Sequence, residues 1–194
     1  FNCTPVLDNL TEIDAYEKGI TSPVHLGIRL ATDEEPKFEF YSSRLGIRYS
    51  DVFDLIKNKI DPNPNFKLKM LHFFINTGIK DTTYYWSELS RFVHMYCAVK
   101  KVHPDLDSID IGGGWPIKTS VHFEYDYKYM SDQIIKTIKR ICEEQDVATP
   151  HIFTEFGSFT VGESGAAIYS VLGSKLQNDK EEWYMIDSSF ITTL

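Results

Sequence analysis

Ser108-Ile-Asp-Ile-Gly-Gly-Gly-Trp-Pro116 is a short apolar strand that runs without a break into three consecutive glycines. Each of those glycines loses more backbone freedom on ordering than alanine would, so the run suits neither a helix nor a strand interior. It offers bare main-chain amides that can curl into a concave nest and approach an anion closely. A phosphate group is the usual guest. A tight strand-to-helix turn with no ligand is the other reading of the same residues.

Outward from this stretch, apolar strands alternate with amphipathic helices. Upstream, Thr4–Leu7, Val24–Ala31 and Leu68–Ile75 read as strands, the last buried on both faces because its apolar run is continuous. Asp8-Asn-Leu-Thr-Glu-Ile opens a helix that Gly19 ends, with an N-cap residue at its start. An acidic loop follows at Thr32–Pro36, and a helix begins at Ser50 and stops near Pro62 and Pro64. From Tyr84 to Val102, Trp86, Leu89, Phe92 or Val93, Tyr96 and Val99 trace one helical stripe. Downstream, a loop rich in Tyr and Phe (Val121–Tyr129) precedes a helix whose Met130, Ile134, Ile138 and Ile141 share a face, and His151–Glu155 is the fifth strand.

Beyond it the pattern changes. Ser158–Leu172 and Glu182–Ile186 lean toward β-structure, so the chain divides into an α/β part over residues 1–157 and the start of a β-rich domain over 158–194. Strand–helix alternation builds parallel sheets with right-handed crossovers. Periodicity leaves an open sheet and half of an eight-fold barrel equally available. In both, chemistry collects at the carboxyl ends of the strands, and the glycine run lies at such an end.

Composition narrows the function classes. The 194 residues are 42% hydrophobic and 14% aromatic, enough for a well-packed core. The net charge of -8 disfavours a nucleic-acid backbone as partner, which needs clustered Lys and Arg. No apolar run has membrane-spanning length, and no secretory-signal layout opens the sequence. The first residue is Phe1, which suggests a portion of a longer protein. Cys3, Cys97 and Cys142 form no CxxC pattern and read as reduced, small buried hydrophobes in a cytoplasmic setting. No histidine stands at a motif-like spacing from another ligand, so no metal is expected.

The residues that follow the strands are Arg29, then Phe74 with Asn76, Thr77 and Gly78, then Gly112, Gly113 and Gly114, then Glu155 with Gly157 and Ser158. Glycine amides and a hydroxyl can satisfy a phosphate. An aromatic face, an arginine and a carboxylate complete a site for a flat phosphorylated ring. His72 reads as a satisfied interior histidine.

Taken in order, Leu71-His-Phe-Phe-Ile-Asn-Thr-Gly78, Ile109-Asp-Ile-Gly-Gly-Gly-Trp-Pro116 and Phe153-Thr-Glu-Phe-Gly-Ser-Phe-Thr-Val161 resemble the pyridoxal-phosphate-dependent decarboxylases of the alanine-racemase-like fold. Ser42-Ser-Arg-Leu-Gly-Ile47 is similar to that group's Ser-Lys-Phe-Gly segment. The group includes ornithine, diaminopimelate and biosynthetic arginine decarboxylases, and the likeness is strongest to the last.

The resemblance implies a partial (β/α)8 TIM barrel leading into a β-rich second domain, in a homodimer or higher homo-oligomer. It implies pyridoxal 5'-phosphate as cofactor, with Gly112, Gly113, Gly114, Thr77, Gly157 and Ser158 around its phosphate. Glu155 would meet the pyridine nitrogen, with Arg29 near the ring. Phe74 stands where the family usually carries a histidine stacked on the ring, and Ser158 where it commonly has an arginine. The Schiff-base lysine is expected before Phe1, so no catalytic lysine is assigned and residues 1–194 alone are expected to be inactive. The implied activity is decarboxylation of a basic amino acid, most simply L-arginine to agmatine and CO2 for polyamine biosynthesis. Diaminopimelate, ornithine or carboxynorspermidine as substrate, or a non-catalytic regulatory barrel, are the alternatives.

Overall fold

The computed structural model describes residues 3–32, 45–118 and 122–189. Most of the Thr32–Pro36 loop, Ser42–Arg44 of the Ser42–Ile47 segment and Val121 of the aromatic loop lie outside them. The chain separates into two compact units, Phe1–Thr160 and Val161–Leu194.

In the first unit the elements are β1 (Val6–Leu7), α1 (Leu10–Gly19), β2 (Val24–Arg29), α2 (Val52–Leu55), β3 (Phe66–His72), α3 (Thr83–Val102), β4 (Ser108–Asp110), α4 (Tyr127–Glu144) and β5 (His151–Phe153), with the short α5 (Gly157–Val161) at its end and reaching the first residue of the second. Local chemistry sets the helix starts. Asn9 accepts the Glu12 amide at 3.1 Å while Glu12 reaches back to the Asp8 amide at 2.6 Å, a reciprocal arrangement that satisfies two orphan donors. Thr82 caps α3 through the Tyr85 amide, and Asp126 caps α4 through the Tyr129 amide. The helix read from Ser50 to Pro62 is irregular: a 3-10 turn at Tyr49–Asp51, then α2, then a π-type turn at Ile56–Ile60.

The five strands are parallel and neighbour one another in the order β1-β2-β3-β4-β5. A doubly wound sheet would turn back on itself. An order that never reverses is the walk of a (β/α) barrel, so the barrel is the correct choice of the two. The outer face carries the core. Phe73 stacks on Phe92 of α3 with ring centroids 4.4 Å apart, and Ile13, Leu26, Ile28, Leu71, Leu89, Ile109 and Ile138 are fully enclosed in one cluster. Each such side chain contributes roughly 1.5–3 kcal/mol by leaving water.

The opposite face is the inner one. Side chains alternate along a strand, so His72 points away from the helices that hold Phe73. Gly27 lies there too, because a Cβ on it would meet Val6 Cγ2 at 2.9 Å and Met70 Cβ at 3.4 Å. The register then draws a single row across the sheet: Arg29 pairs with His72, His72 with Asp110, and Asp110 with Phe153.

Two expectations are corrected. Residues after Ser158 do not begin as β-structure, since Gly157–Val161 is helical and Thr160 donates to the Phe156 carbonyl. Cys3 is exposed, whereas Cys97 and Cys142 are buried free thiols with sulfurs 4.0 Å apart.

The second unit is an antiparallel hairpin of β6 (Val171–Gln177) and β7 (Glu181–Ile186). Its turn places Asn178 and Asp179 both at φ 53, a left-handed conformation these two residue types tolerate better than most.

Candidate cofactor-binding site

The glycine run lies between the strand ends of β3 and β5, tied to both. Glu155 donates its amide to the Gly112 carbonyl at 2.9 Å, and Ile79 donates to the Gly114 carbonyl at 2.9 Å. The contacts leave no room for side chains. A Cβ on Gly112 would stand 2.7 Å from the Phe73 carbonyl oxygen, and one on Gly114 would stand 2.7 Å from Gly78 Cα. Gly112, Gly114 and Gly78 have φ values of 69°, 93° and 77°, where a Cβ is strained in any surroundings.

Among the described residues, the Gly113 and Gly114 amides donate to no acceptor, while the Gly112 amide is held by Asp110 Oδ1 at 2.8 Å. Thr77 lies in the turn closed by the Gly78 amide on the Ile75 carbonyl, and Gly78 packs directly on Gly114. The turn that carries Thr77 therefore lies against the glycine run. Gly157, by contrast, has open space where its Cβ would be. It begins α5 with Ser158 and donates to the Glu155 carbonyl at 2.8 Å.

On the inner face, His72, Asp110 and Glu155 each bring one ligand-type atom within 4.8 Å of the others. The sequence spacing that argued against such a cluster could not show it, because the residues come from three different strand ends. His72 Nε2 is 3.7 Å from Glu155 Oε2, an ion-pair distance outside hydrogen-bond reach. His72 is 4% exposed, yet among the described residues neither ring nitrogen has a hydrogen-bond partner. The reading of His72 as a satisfied interior histidine is thus corrected. Burial pulls its pKa below that of ordinary imidazole, against the pull of the Asp110 and Glu155 carboxylates. Burial likewise pushes the Asp110 carboxyl upward, against the Gly112 amide that favours its ionised form.

Arg29 lies beside this row. Its Nε is 3.8 Å from Asp8 Oδ1, and its guanidinium carbon is 5.9 Å from the Phe74 ring centroid. Below the glycine run, Trp115 packs on Phe156 at 4.7 Å and stacks with Tyr127 at 5.9 Å. Tyr125 donates to the Ile79 carbonyl at 2.7 Å, and Tyr127 to the Pro116 carbonyl at 2.8 Å.

Asp110 is the member that sequence reasoning passed over. Its signal was an acidic residue inside an otherwise apolar strand, which is rare unless the group is paired.

The residues suit a phosphorylated pyridine ring. The cradle is one that any Cβ would fill, two of its amides donate to no acceptor among the described residues, and a carboxylate with an imidazole lacking a hydrogen bond stands beside it. Comparison with known proteins agrees. The family described as pyridoxal-dependent decarboxylase, pyridoxal binding domain, matches residues 3–162. The chain belongs to that family.

Biosynthetic arginine decarboxylase of Shewanella loihica is 23% identical over 185 residues, covering 88% of this chain and 29% of that protein. The crystal structure of lysine decarboxylase from Selenomonas ruminantium superposes with a TM-score of 0.70 at 21% identity, over 95% of this chain and 46% of that one. Diaminopimelate decarboxylase from M. jannaschi gives a TM-score of 0.72 at 18% identity, over 94% and 44%. The chain therefore spans less than half the length of each. The fold they share is the expected one: part of an alanine-racemase-like barrel, here with a β-hairpin following. No helix among the described residues is long and apolar enough to cross a membrane.

Proposed function

We propose that this chain holds the cofactor in an enzyme that removes the α-carboxylate of a basic amino acid, L-arginine before others, leaving agmatine and CO2. The observation that carries the reading is the glycine cradle wedged between Gly78 and Glu155, with an acidic side chain at its edge. The curated relative's name favours arginine.

Each residue has a task in this reading. The Gly113 and Gly114 amides, with Thr77 and Ser158, receive the phosphate as fixed dipoles that need no reorganisation. Gly112 shapes the turn, and Gly157 with Ser158 completes the cup around the phosphate. Phe74 offers a flat face to the ring, and Arg29 stands near Phe74. Glu155 holds a proton on the pyridine nitrogen, because a nearby carboxylate favours the charged form of a base. When bound, pyridoxal 5'-phosphate supplies the electron sink for the pair left by departing CO2.

Residues 1–157 serve as part of the cofactor-binding barrel, and 158–194 as the start of a β-rich domain. An antiparallel hairpin with all of β7 exposed supports that division, since two strands alone are marginally stable. The working enzyme is a cytoplasmic homodimer or higher homo-oligomer in this reading.

The test is to incubate the complete protein with arginine labelled at its carboxyl carbon and trap the gas released. Labelled CO2 is expected, and its absence overturns the assignment. The superposed structures favour a second reading with lysine or diaminopimelate as substrate. A panel of labelled amino acids separates the two.

A further inference from the structure

We propose that Asp110 and His72 act as a positioning pair, fixing the Glu155 carboxylate and the Gly112 turn relative to one another. The inference rests on the cofactor reading above and extends it to two residues that reading does not use.

The geometry is specific. Asp110 ends β4, one residue before the chain leaves the sheet, and its Oδ1 holds the Gly112 amide at 2.8 Å. The same side chain belongs to the 4.8 Å cluster with His72 and Glu155. One carboxylate therefore touches both the phosphate side and the ring side of the site. His72 is the link to the ring side, with Glu155 Oε2 3.7 Å from its Nε2. The Glu155 side chain is 55% exposed, so a change of rotamer can close that gap to a hydrogen bond.

A purely structural role explains the pair poorly. A buried imidazole with no hydrogen bond is destabilising, and such groups persist in native proteins mainly where they serve a function. An apolar pair of similar volume would pack the inner face at lower cost. The charged groups facing His72 are Arg29 from β2, Asp110 from β4 and Glu155 after β5. Arg29 and burial both favour a neutral ring, and a neutral imidazole has one N–H to donate. Donated to Glu155, it keeps that carboxylate ionised and aimed. A carboxylate left to rotate in water would hold the pyridine proton less well.

The complete protein, loaded with cofactor labelled with nitrogen-15 in its ring, gives the readout. The pyridine-nitrogen shift followed against pH reports the ring's protonation, and equilibrium dialysis reports cofactor affinity. His72→Leu, which has no N–H for Glu155, and Asp110→Asn, which keeps an acceptor for the Gly112 amide but removes its charge, are each expected to weaken cofactor binding about tenfold, the scale of losing a charge-assisted hydrogen bond. Both should also lower the pH at which the ring nitrogen loses its proton. His72→Gln, whose amide can still donate, should recover most of the effect.

The inference is overturned if His72→Leu and Asp110→Asn lower only the melting temperature, leaving affinity and ring titration as in wild type. Glu155→Gln separates the two levels. If it shifts the ring nitrogen while the other variants do not, only the positioning role fails. If Glu155→Gln shifts nothing, the cofactor reading itself fails. Should His72→Leu not fold, Asp110→Asn carries the same comparison, with His72→Gln expected to stay near wild type.

Discussion

The carbonyl oxygen of Glu155 lies 2.5 Å from the point where a Cβ on Gly113 would stand. That single contact joins the two features on which the site depends, the glycine run and the acid. It also gives the run a second reason to exist. The glycines expose amides, and they let three strand-end loops approach backbone to backbone.

Substituting Gly113 tests this directly. Gly113→Ala puts a methyl against main chain, which cannot swing aside, and overpacking of that kind costs about 1–3 kcal/mol. Gly157→Ala meets open space and should stay within about 0.5 kcal/mol of wild type. Urea unfolding of the complete protein measures both, and equal midpoints for the two variants would refute the packing argument.

The buried imidazole should leave a mark on stability against pH. His72 titrates in the folded chain below its ordinary value of 6.5. Between those two values the unfolded chain binds more protons, so stability climbs with pH and is fully gained above 6.5. Asp110 acts in the opposite sense. Its folded carboxyl titrates above 3.8, so its contribution falls as pH rises from 3.8 through the folded value. The difference in unfolding free energy between wild type and His72→Gln is expected to rise toward pH 6.5 and then level off. A difference that stays flat across this range would contradict the burial assigned to His72.

Trp115 anchors the loop that leaves the glycine run. It is 7% exposed and meets the rings of Tyr125, Tyr127, Phe156 and Phe159. Trp115→Ala should cost about 3–5 kcal/mol, the range for removing a large aromatic from a packed site. Weaker cofactor binding is expected alongside, because Phe156 sits between Glu155 and Gly157. Calorimetry and dialysis on the same sample check both effects.

The two buried thiols should be inert in the folded protein. Burial raises both, Cys97 in direction and Cys142 to about 12, and the thiolate is the reactive form. Iodoacetamide at pH 8 is expected to leave Cys97 and Cys142 unmodified until denaturant is added, as read by mass spectrometry. Rapid labelling without denaturant would show that α3 and α4 part more easily than their packing implies.

Much of the barrel could be read along the chain. Apolar periodicity located all five strands to within a few residues, and the Asp8–Ile13 stretch announced α1, because caps and stripes are local chemistry. The ordered motifs around Thr77, Gly112–Gly114 and Glu155 point to one ligand from the sequence alone. The misjudged stretch after Ser158 is instructive: a helix as short as Gly157–Val161 has too few turns to show a period.

The amino-acid order thus settles the five strands and the long helices and brings forward candidates for phosphate-type and acidic chemistry, since both follow from neighbours within a few positions. Strand order, and the meeting of His72, Asp110 and Glu155 from three separate strand ends, come only with the packed sheet. Residues so distant along the chain become neighbours through parallel pairing and register, and those are set by long-range burial rather than by any local signal.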